Sequence, residues 1–428
     1  MTSLVAILNN QAVALAADSA VTTESPSGQK IYNTVNKLFT LSKQHPVGIM
    51  AYSSAEIMGV PIETVIKVYR QKHGPEIKDT LEEYHTAFSS FLETDTALFP
   101  YEARLNHCEN VISGVFFNLL DNIFRYLDSR YSGWGQPTQT QAKQVAQQFL
   151  QQQISRFENS GELNGVDARV RVRLKNKLKP HINRWKQKFK SDFALPDTTL
   201  RLLTEHCLDL ILKEEPTGVE TGFVIAGFGD KEYLPELRSF EFETSVEGVH
   251  KIGQKVSRGV AANGASIVPF AQREMVDTFM QGRAVHLDGF LLRLFDQFFS
   301  EKKQEAANDP ALSARLTEIT STLEDLRAGL RTRFLTELKD FTGSNHVMPV
   351  LDTLTVMPKE ELALLAEALV NLQIIKRHAS PDADTVGGPT DVAVISKGDG
   401  FIWIKRKHYF RSELNPHFSR NYFGGNPQ

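Results

Sequence analysis

Two runs of small apolar residues, Leu4-Val5-Ala6-Ile7-Leu8 and Ala12-Val13-Ala14-Leu15-Ala16-Ala17, are separated only by Asn9-Asn10-Gln11. That spacing, with turn chemistry at Asn9-Asn10, predicts a β-hairpin over residues 2–8 and 11–17. The many alanines predict strands packed tightly on both faces. The second run ends on a carboxylate, Asp18. The hydroxyl of Thr2 lies one residue from the start of the sequence. If Met1 is removed, one residue carries both a nucleophile and a free amine, an established form of the activated nucleophile.

The rest of the chain alternates between strand and helix character. Residues 22–30 read as a polar loop. Residues 37–41 and 47–52 read as a second strand pair, and 57–69 as an amphipathic helix. From 75 to 215 helical patterns dominate, at 81–92, 102–131 and 139–157. Strands return at 221–229 and 235–242. A small-residue stretch over 259–266 leads into a helix expected over 268–281. Residues 285–345 read as helical. Met357-Pro358 opens a helix to about residue 377, with Glu360 and Glu361 in its first turn. Residues 391–396 and 401–405 form a last hairpin, and 412–428 a polar tail that is extended or loosely ordered. Such an order predicts two packed sheets with helices on their outer faces.

Composition narrows the class. Of 428 residues, 41% are hydrophobic and 23% charged, which fits a globular chain and not a disordered one. A net charge of -3 argues neither for nor against a charged partner at the level of the whole chain. Two cysteines, Cys108 and Cys207, fit a reducing compartment, with a single disulfide left open. No Cys/His cluster has zinc spacing, so neither metal nor cofactor is expected. His45, His73, His107, His206 and His286 are read as structural or surface residues. No apolar run approaches the ~20 residues of a membrane span. The first lysine is Lys30, and Asn9-Asn10-Gln11 interrupts the apolar run, so no signal peptide is read and a cytoplasmic location is expected. Residues 169–190 carry many Lys and Arg and no acid. They suit a nucleic acid or acidic partner, but interleaved Val, Leu, Ile and Trp185 favour a basic amphipathic face. The segment 222–229 lacks the Gly-Lys-Ser/Thr ending of a phosphate loop.

Five segments stand out in order: Thr2-Ser3-Leu4-Val5-Ala6, Ala16-Ala17-Asp18-Ser19, Asn36-Lys37-Leu38-Phe39-Thr40-Leu41, Phe223-Val-Ile-Ala-Gly-Phe-Gly229, and Gly387-Gly388 followed by Asp391-Val-Ala-Val-Ile-Ser396. Together they resemble the proteasome β-subunit family of N-terminal nucleophile (Ntn) hydrolases, in particular its bacterial proteasome-like members. The resemblance covers about residues 1–70, 220–282 and 355–408. It implies an α+β fold, a four-layer αββα sandwich, carrying two large helical insertions. The core would comprise 1–74, 216–284 and 351–410, the insertions 75–215 and 285–350, and the tail 411–428.

The resemblance also implies a threonine-type peptidase. Thr2 is the expected nucleophile, with Asp18 and Lys37 beside it. Ser53 stands where the family usually has a glycine whose N–H forms the oxyanion hole. Backbone groups from Ala20 to Thr22 would hold an extended peptide. Ser266, or Asn263, would support the site, as would Asp384 or Asp382. The α-amine, with an ordinary pKa of about 7.7–8.0, would act as base, and Lys37 would favour the alkoxide by charge. Expected partners are a peptide or unfolded protein substrate, further copies in a homo-oligomer, and an unknown partner at the insertions, with no membrane. The alternatives are a catalytically inactive subunit whose insertions bind a protein or nucleic acid, and an amidase acting on a small amide.

Overall fold

The computed structural model describes residues 2–25, 28–131, 136–262, 264–309, 316–380, 386–408 and 410–417. The hairpin at the start forms as the sequence predicts: β1 (Ser3–Leu8) and β2 (Ala12–Ala17) are antiparallel, and every residue of both is buried. Asn9 makes the turn possible. Its Oδ1 accepts from the N–H groups of Gln11 (2.9 Å) and Ala12 (3.2 Å), and its Nδ2 donates to the carbonyls of Leu354 (3.0 Å) and Met357 (2.9 Å). A buried amide is thus satisfied on both ends, as its burial demands.

The chain is a mixed α and β protein that divides into two units. The first comprises Met1–Val35, Val260–Ser396 and Ile402–Gln428. Further elements of this unit are β3 (Val21–Ser25), β4 (Gly28–Tyr32), β12 (Ser266–Ala271), α7 (Glu274–Gln281), α8 (Leu287–Asn308), α9 (Leu316–Thr342), α10 (Met348–Thr355), α11 (Lys359–His378) and β13 (Asp391–Ser396). The main sheet has the order β12-β1-β2-β13-β14, where β14 is Gly400–Lys405. Alternate residues of the central strands, among them Val5, Ile7, Ala14 and Val392, pack against Val276 of α7 and Leu362, Ala366 and Val370 of α11. α11 starts after Pro358, with Glu360 and Glu361 in its first turn and Lys376, Arg377 and His378 in its last. Those charges complement the helix dipole at both ends.

The second unit comprises Asn36–Gly259 and Lys397–Phe401. Its strands are β5 (Leu38–Thr40), β6 (Val47–Tyr52), β7 (Glu56–Ile57), β8 (Val60–Pro61), β9 (Thr221–Gly227), β10 (Glu236–Val246) and β11 (Val249–Gly259). Its helices are α1 (Ile62–His73), α2 (Leu81–Thr94), α3 (Tyr101–Tyr131), α4 (Gln139–Glu158), α5 (Ala168–Phe193) and α6 (Asp197–Leu212). The sheet has the order β11-β10-β9-β6-β5. Ile49, Phe223, Ile225 and Phe240 present one face to Ile66 and Tyr69 of α1 and to Phe88 and Leu92 of α2. Phe88 meets Tyr69 and Phe223 edge to face, at 5.0 and 5.2 Å between centroids.

Helices α3 to α6 build a core of their own, from Ile112, Phe116, Leu174, Leu178, Phe189 and Leu203 among others, reaching the sheet at Val246 and Val249. α5 buries Val170, Leu174, Leu178, Ile182, Trp185 and Phe189 and turns its basic residues outward. Many of these are ion-paired, as in Arg171–Asp209 (3.1 Å) and Arg173–Glu247 (2.8 Å). It is therefore a basic amphipathic face on a helical bundle. A buried ion pair fixes the bundle to the sheet: Lys251 Nζ lies 3.1 Å from Glu243 Oε2 and donates to the Leu210 carbonyl at 3.1 Å. Thr217 donates to Glu243 from its N–H (3.1 Å) and its hydroxyl (2.7 Å). Such a pair tolerates burial only because its hydrogen-bonding positions are filled.

Three local expectations fail. The loop expected over 22–30 is not one: residues 22–25 and 28–30 lie in the antiparallel pair β3 and β4. The helix expected from residue 57 begins at Ile62, because Met58 (φ 49°) and Gly59 (φ 78°) turn β7 back onto β8. The helix expected over 268–281 is instead β12 followed by α7, since residues 266–271 complete the free edge of β1. Pro269 is tolerated there because β12 is an edge strand.

Cys108 and Cys207 are both free and buried, and burial pushes the Cys108 thiol up to about 12. Among the described residues no helix is long and apolar enough to cross a membrane, and no group of three or more His, Cys, Asp or Glu could hold a metal ion.

His206 carries a pH prediction. It sits in the bundle core, 5.2 Å from the Phe157 ring, and neither ring nitrogen has a partner. Burial, with Arg156 and Lys213 nearby, pushes its pKa down to about 4. The unfolded chain therefore takes up a proton near pH 6.5 that the folded chain refuses until about pH 4, so stability falls as the pH is lowered between them. His206→Phe removes about 2–3 kcal/mol of the loss between pH 7 and 4.5. Urea denaturation at the two pH values checks it; an equal loss in both proteins contradicts it.

Candidate functional site

Thr2 and Asp18 meet at one end of the β1–β2 pair. Thr2 is buried, 4% exposed, and its carbonyl accepts from the Gln272 N–H at 3.0 Å. The Gln272 side chain accepts in turn from Gln373 Nε2 at 3.0 Å. The next residue, Ser3, donates its N–H to Asp18 Oδ1 at 2.9 Å and accepts from the Asp18 N–H at 3.1 Å. Asp18 is completely buried, and its Oδ2 accepts from the N–H groups of Ala20 (3.2 Å) and Gly387 (3.3 Å). Three backbone donors thus satisfy one buried carboxylate. Ser19 completes the tie, donating its N–H to the Gly387 carbonyl at 3.0 Å and its hydroxyl to that of Pro389. Gly388 makes this approach possible. It has φ 75°, and a Cβ there would stand 2.4 Å from the Asn33 carbonyl oxygen.

Lys37 and Ser53 lie in the second unit. Lys37 precedes β5, is buried, and accepts at its carbonyl from the Ala51 N–H at 2.9 Å. That bond sets Lys37 two residues, across the ladder, from the turn that holds Ser53. Ser53 is exposed and has φ 74°. This is the left-handed region where glycine is at ease and other residues are uncommon. Ser53 thus adopts the backbone that the glycine in the resembled motif would supply freely.

The supporting residues fare differently. Ser266 pairs with Leu8, at the far end of β1 from Thr2, whereas Ala271 pairs with Ser3. Five residues of strand at ~3.3 Å each put it ~16 Å from the Thr2 end. Ser266 therefore does not support Thr2; the error follows from reading 268–281 as one helix. Ala20 gives its N–H to Asp18, so that N–H does not bind a peptide. Thr22 lies in β3, one edge of which is occupied by β4. Asn263, Asp382 and Asp384 lie outside the described residues.

Residues that the sequence did not single out include Gln272 and Gln373, which tie Thr2, and the Ser19–Pro389 contact. Only the strand register, not any motif, could have found them. Two of the histidines have local partners: His107 bonds to the Glu243 carbonyl at 2.7 Å, and His73 to Glu76 at 2.9 Å. Cavities lie elsewhere, of about 400 Å³ beside Lys43 and Arg70, 530 Å³ between α5 and α6, and 830 Å³ beside Arg283 and Met348. Thr2, Asp18 and Lys37 line none of these three. No protein-family model matches this chain, and comparison with curated proteins finds no match.

Asp18→Ala leaves buried N–H groups without their acceptor. It destabilises the fold by about 3 kcal/mol or more, at roughly 1–3 kcal/mol per orphaned group. Chemical denaturation at neutral pH measures this; a loss below 1 kcal/mol contradicts the clamp.

Proposed function

We propose that the chain is an N-terminal threonine hydrolase of the proteasome-like kind, which cleaves peptide (amide) bonds through an acyl-enzyme on Thr2. The observation that carries the reading is a buried carboxylate, Asp18, held by three backbone N–H groups and joined to the residue after Thr2 at 2.9 Å. In this reading the two five-stranded sheets are the inner layers of a four-layer αββα sandwich. Removal of Met1 frees the Thr2 amine, and Asp18 holds Lys37 charged beside the Thr2 hydroxyl.

Thr2 Oγ attacks the substrate carbonyl carbon while its proton passes to the α-amine. The oxyanion meets the Ser53 N–H, an interaction worth about 3–4 kcal/mol in other hydrolases. Collapse of the adduct breaks the C–N bond, and the leaving amine takes the proton. Water then hydrolyses the ester and restores Thr2. Because Ala20 is already engaged, an extended substrate lies along the edge of β3 that β4 does not occupy. The substrate is a peptide or unfolded protein, and the protein works in the cytoplasm as a homo-oligomer.

The strained Ser53 favours one second reading. A side chain at that turn suits a silent member of the same fold, in which the helical insertions bind a protein or nucleic acid.

Intact-mass measurement after a threonine-directed electrophile separates the two. The first reading expects one adduct on a chain that lacks Met1, lost in Thr2→Ala together with all peptide cleavage. Retained Met1, or an active Thr2→Ala protein, overturns it. Ser53→Gly keeps the backbone donor and relieves the left-handed strain. It raises stability by about 1 kcal/mol with no loss of kcat/KM; a melting curve and a peptide-cleavage assay report the two effects.

A further inference from the structure

Helices α8 and α9 form an antiparallel hairpin with little of its own to bury. Phe295 and Phe334 meet edge to face at 5.1 Å, and Asp296 faces Arg327 (3.7 Å) and Arg331 (3.5 Å). Among the described residues Ala306 is the only buried one of α8. The hairpin is nevertheless firmly rooted. Arg283 grips Asp288 through two bonds of 2.9 Å, and a Cβ on Gly282 would stand 2.4 Å from the His346 ring.

An apolar stripe runs along this hairpin. Phe290, Leu294 and Phe298 recur every four residues on α8. Leu326 and Leu330 do so on α9, and Phe341 returns to the same face three turns later. All six are between 46% and 59% exposed. Both sets are displaced in the same rotational sense from the Phe295–Phe334 contact. In an antiparallel pair that places them on one side.

We propose that this stripe is the interface between two copies of the chain, whose hairpins close into a four-helix bundle about a two-fold axis. Two arguments select a second copy. The six side chains leave on the order of 100 Å² each in the open, so the patch is on the order of 600 Å² before its rim is counted. A standard interface takes about 800 Å² per partner, and monomers rarely expose so large a patch. Charge then narrows the occupant. Over Leu287–Asn308 and Leu316–Thr342 there are nine acidic and seven basic side chains. An interfacial helix on anionic lipid, or a nucleic-acid binder, carries an excess of Lys and Arg, which this hairpin lacks. A near-neutral surface does not repel its own copy, and two identical stripes related by a two-fold axis cover one another completely. The inference is independent of the chemistry at Thr2.

Sedimentation equilibrium on the full chain tests it, comparing wild type with Leu294→Glu/Leu330→Glu. Both positions are exposed, so the variant keeps its circular dichroism spectrum. The expected result is a wild-type mass twice that of the variant. Equal masses overturn the proposal, whatever their value. A second measurement uses Leu330→Cys. Because Cys108 and Cys207 are buried, the new thiol is the accessible one, and a bis-maleimide should join two chains through it. Failure to cross-link overturns the proposal. So does flotation of single chains with phosphatidylglycerol vesicles, since that makes lipid the occupant.

Discussion

One carboxylate holds together three stretches that are remote in sequence. Asp18 takes an N–H from Ser3 at the start of the chain, from Ala20 just beyond it, and from Gly387 near the other end. A buried carboxylate without such donors would be prohibitively costly. Its burial therefore dictates where each of these backbones runs. Gly388 must be left-handed to bring its neighbour close, and Asn33 packs against it where no side chain fits. The position of Thr2 follows from the same constraint, because Ser3 has almost no freedom once both of its backbone bonds to Asp18 are made.

Much of this was legible in the residues themselves. Strands without a polar face, a turn at Asn9 and a lysine ahead of β5 are all local signals, and each led to the right element. What stayed hidden depends on partners. Ser266 to Ala271 contains Ile, Val and Phe at spacings that suit a helix as well as a strand. Only the open edge of β1 decides between them, and with that decision Ser266 moves to the wrong end of the strand. Ser53 is similar. Its residue type argues against a left-handed turn, and the strand geometry around it imposes one. Tertiary context won over local preference in both cases.

The α3–α6 bundle shows the opposite balance. Its helices are long and amphipathic, and two are capped: α4 by Thr138, which forms a capping box with Gln141, and α5 by Asp167. Local pattern specified α3 and α4 and the basic amphipathic face of α5. The sequence could not show how the bundle is fastened. Glu243 and Lys251 lie on adjoining strands and look like ordinary surface charges, yet they are buried and bind the last turn of α6 and the segment between α6 and β9.

The strand order of the first sheet has a consequence for how the protein is made. β2 lies beside β13, so Val13 pairs with Ile395, nearly the whole length of the chain away. Contacts of that separation close slowly, and during synthesis they cannot close at all until β13 has emerged. The α3–α6 bundle, whose contacts are mostly local, can fold long before. Gly387 is made 369 residues after Asp18, so Asp18 waits that long for one of its donors. The backbone around Thr2 is therefore completed only once Gly387 has been made, although Thr2 itself is made far earlier.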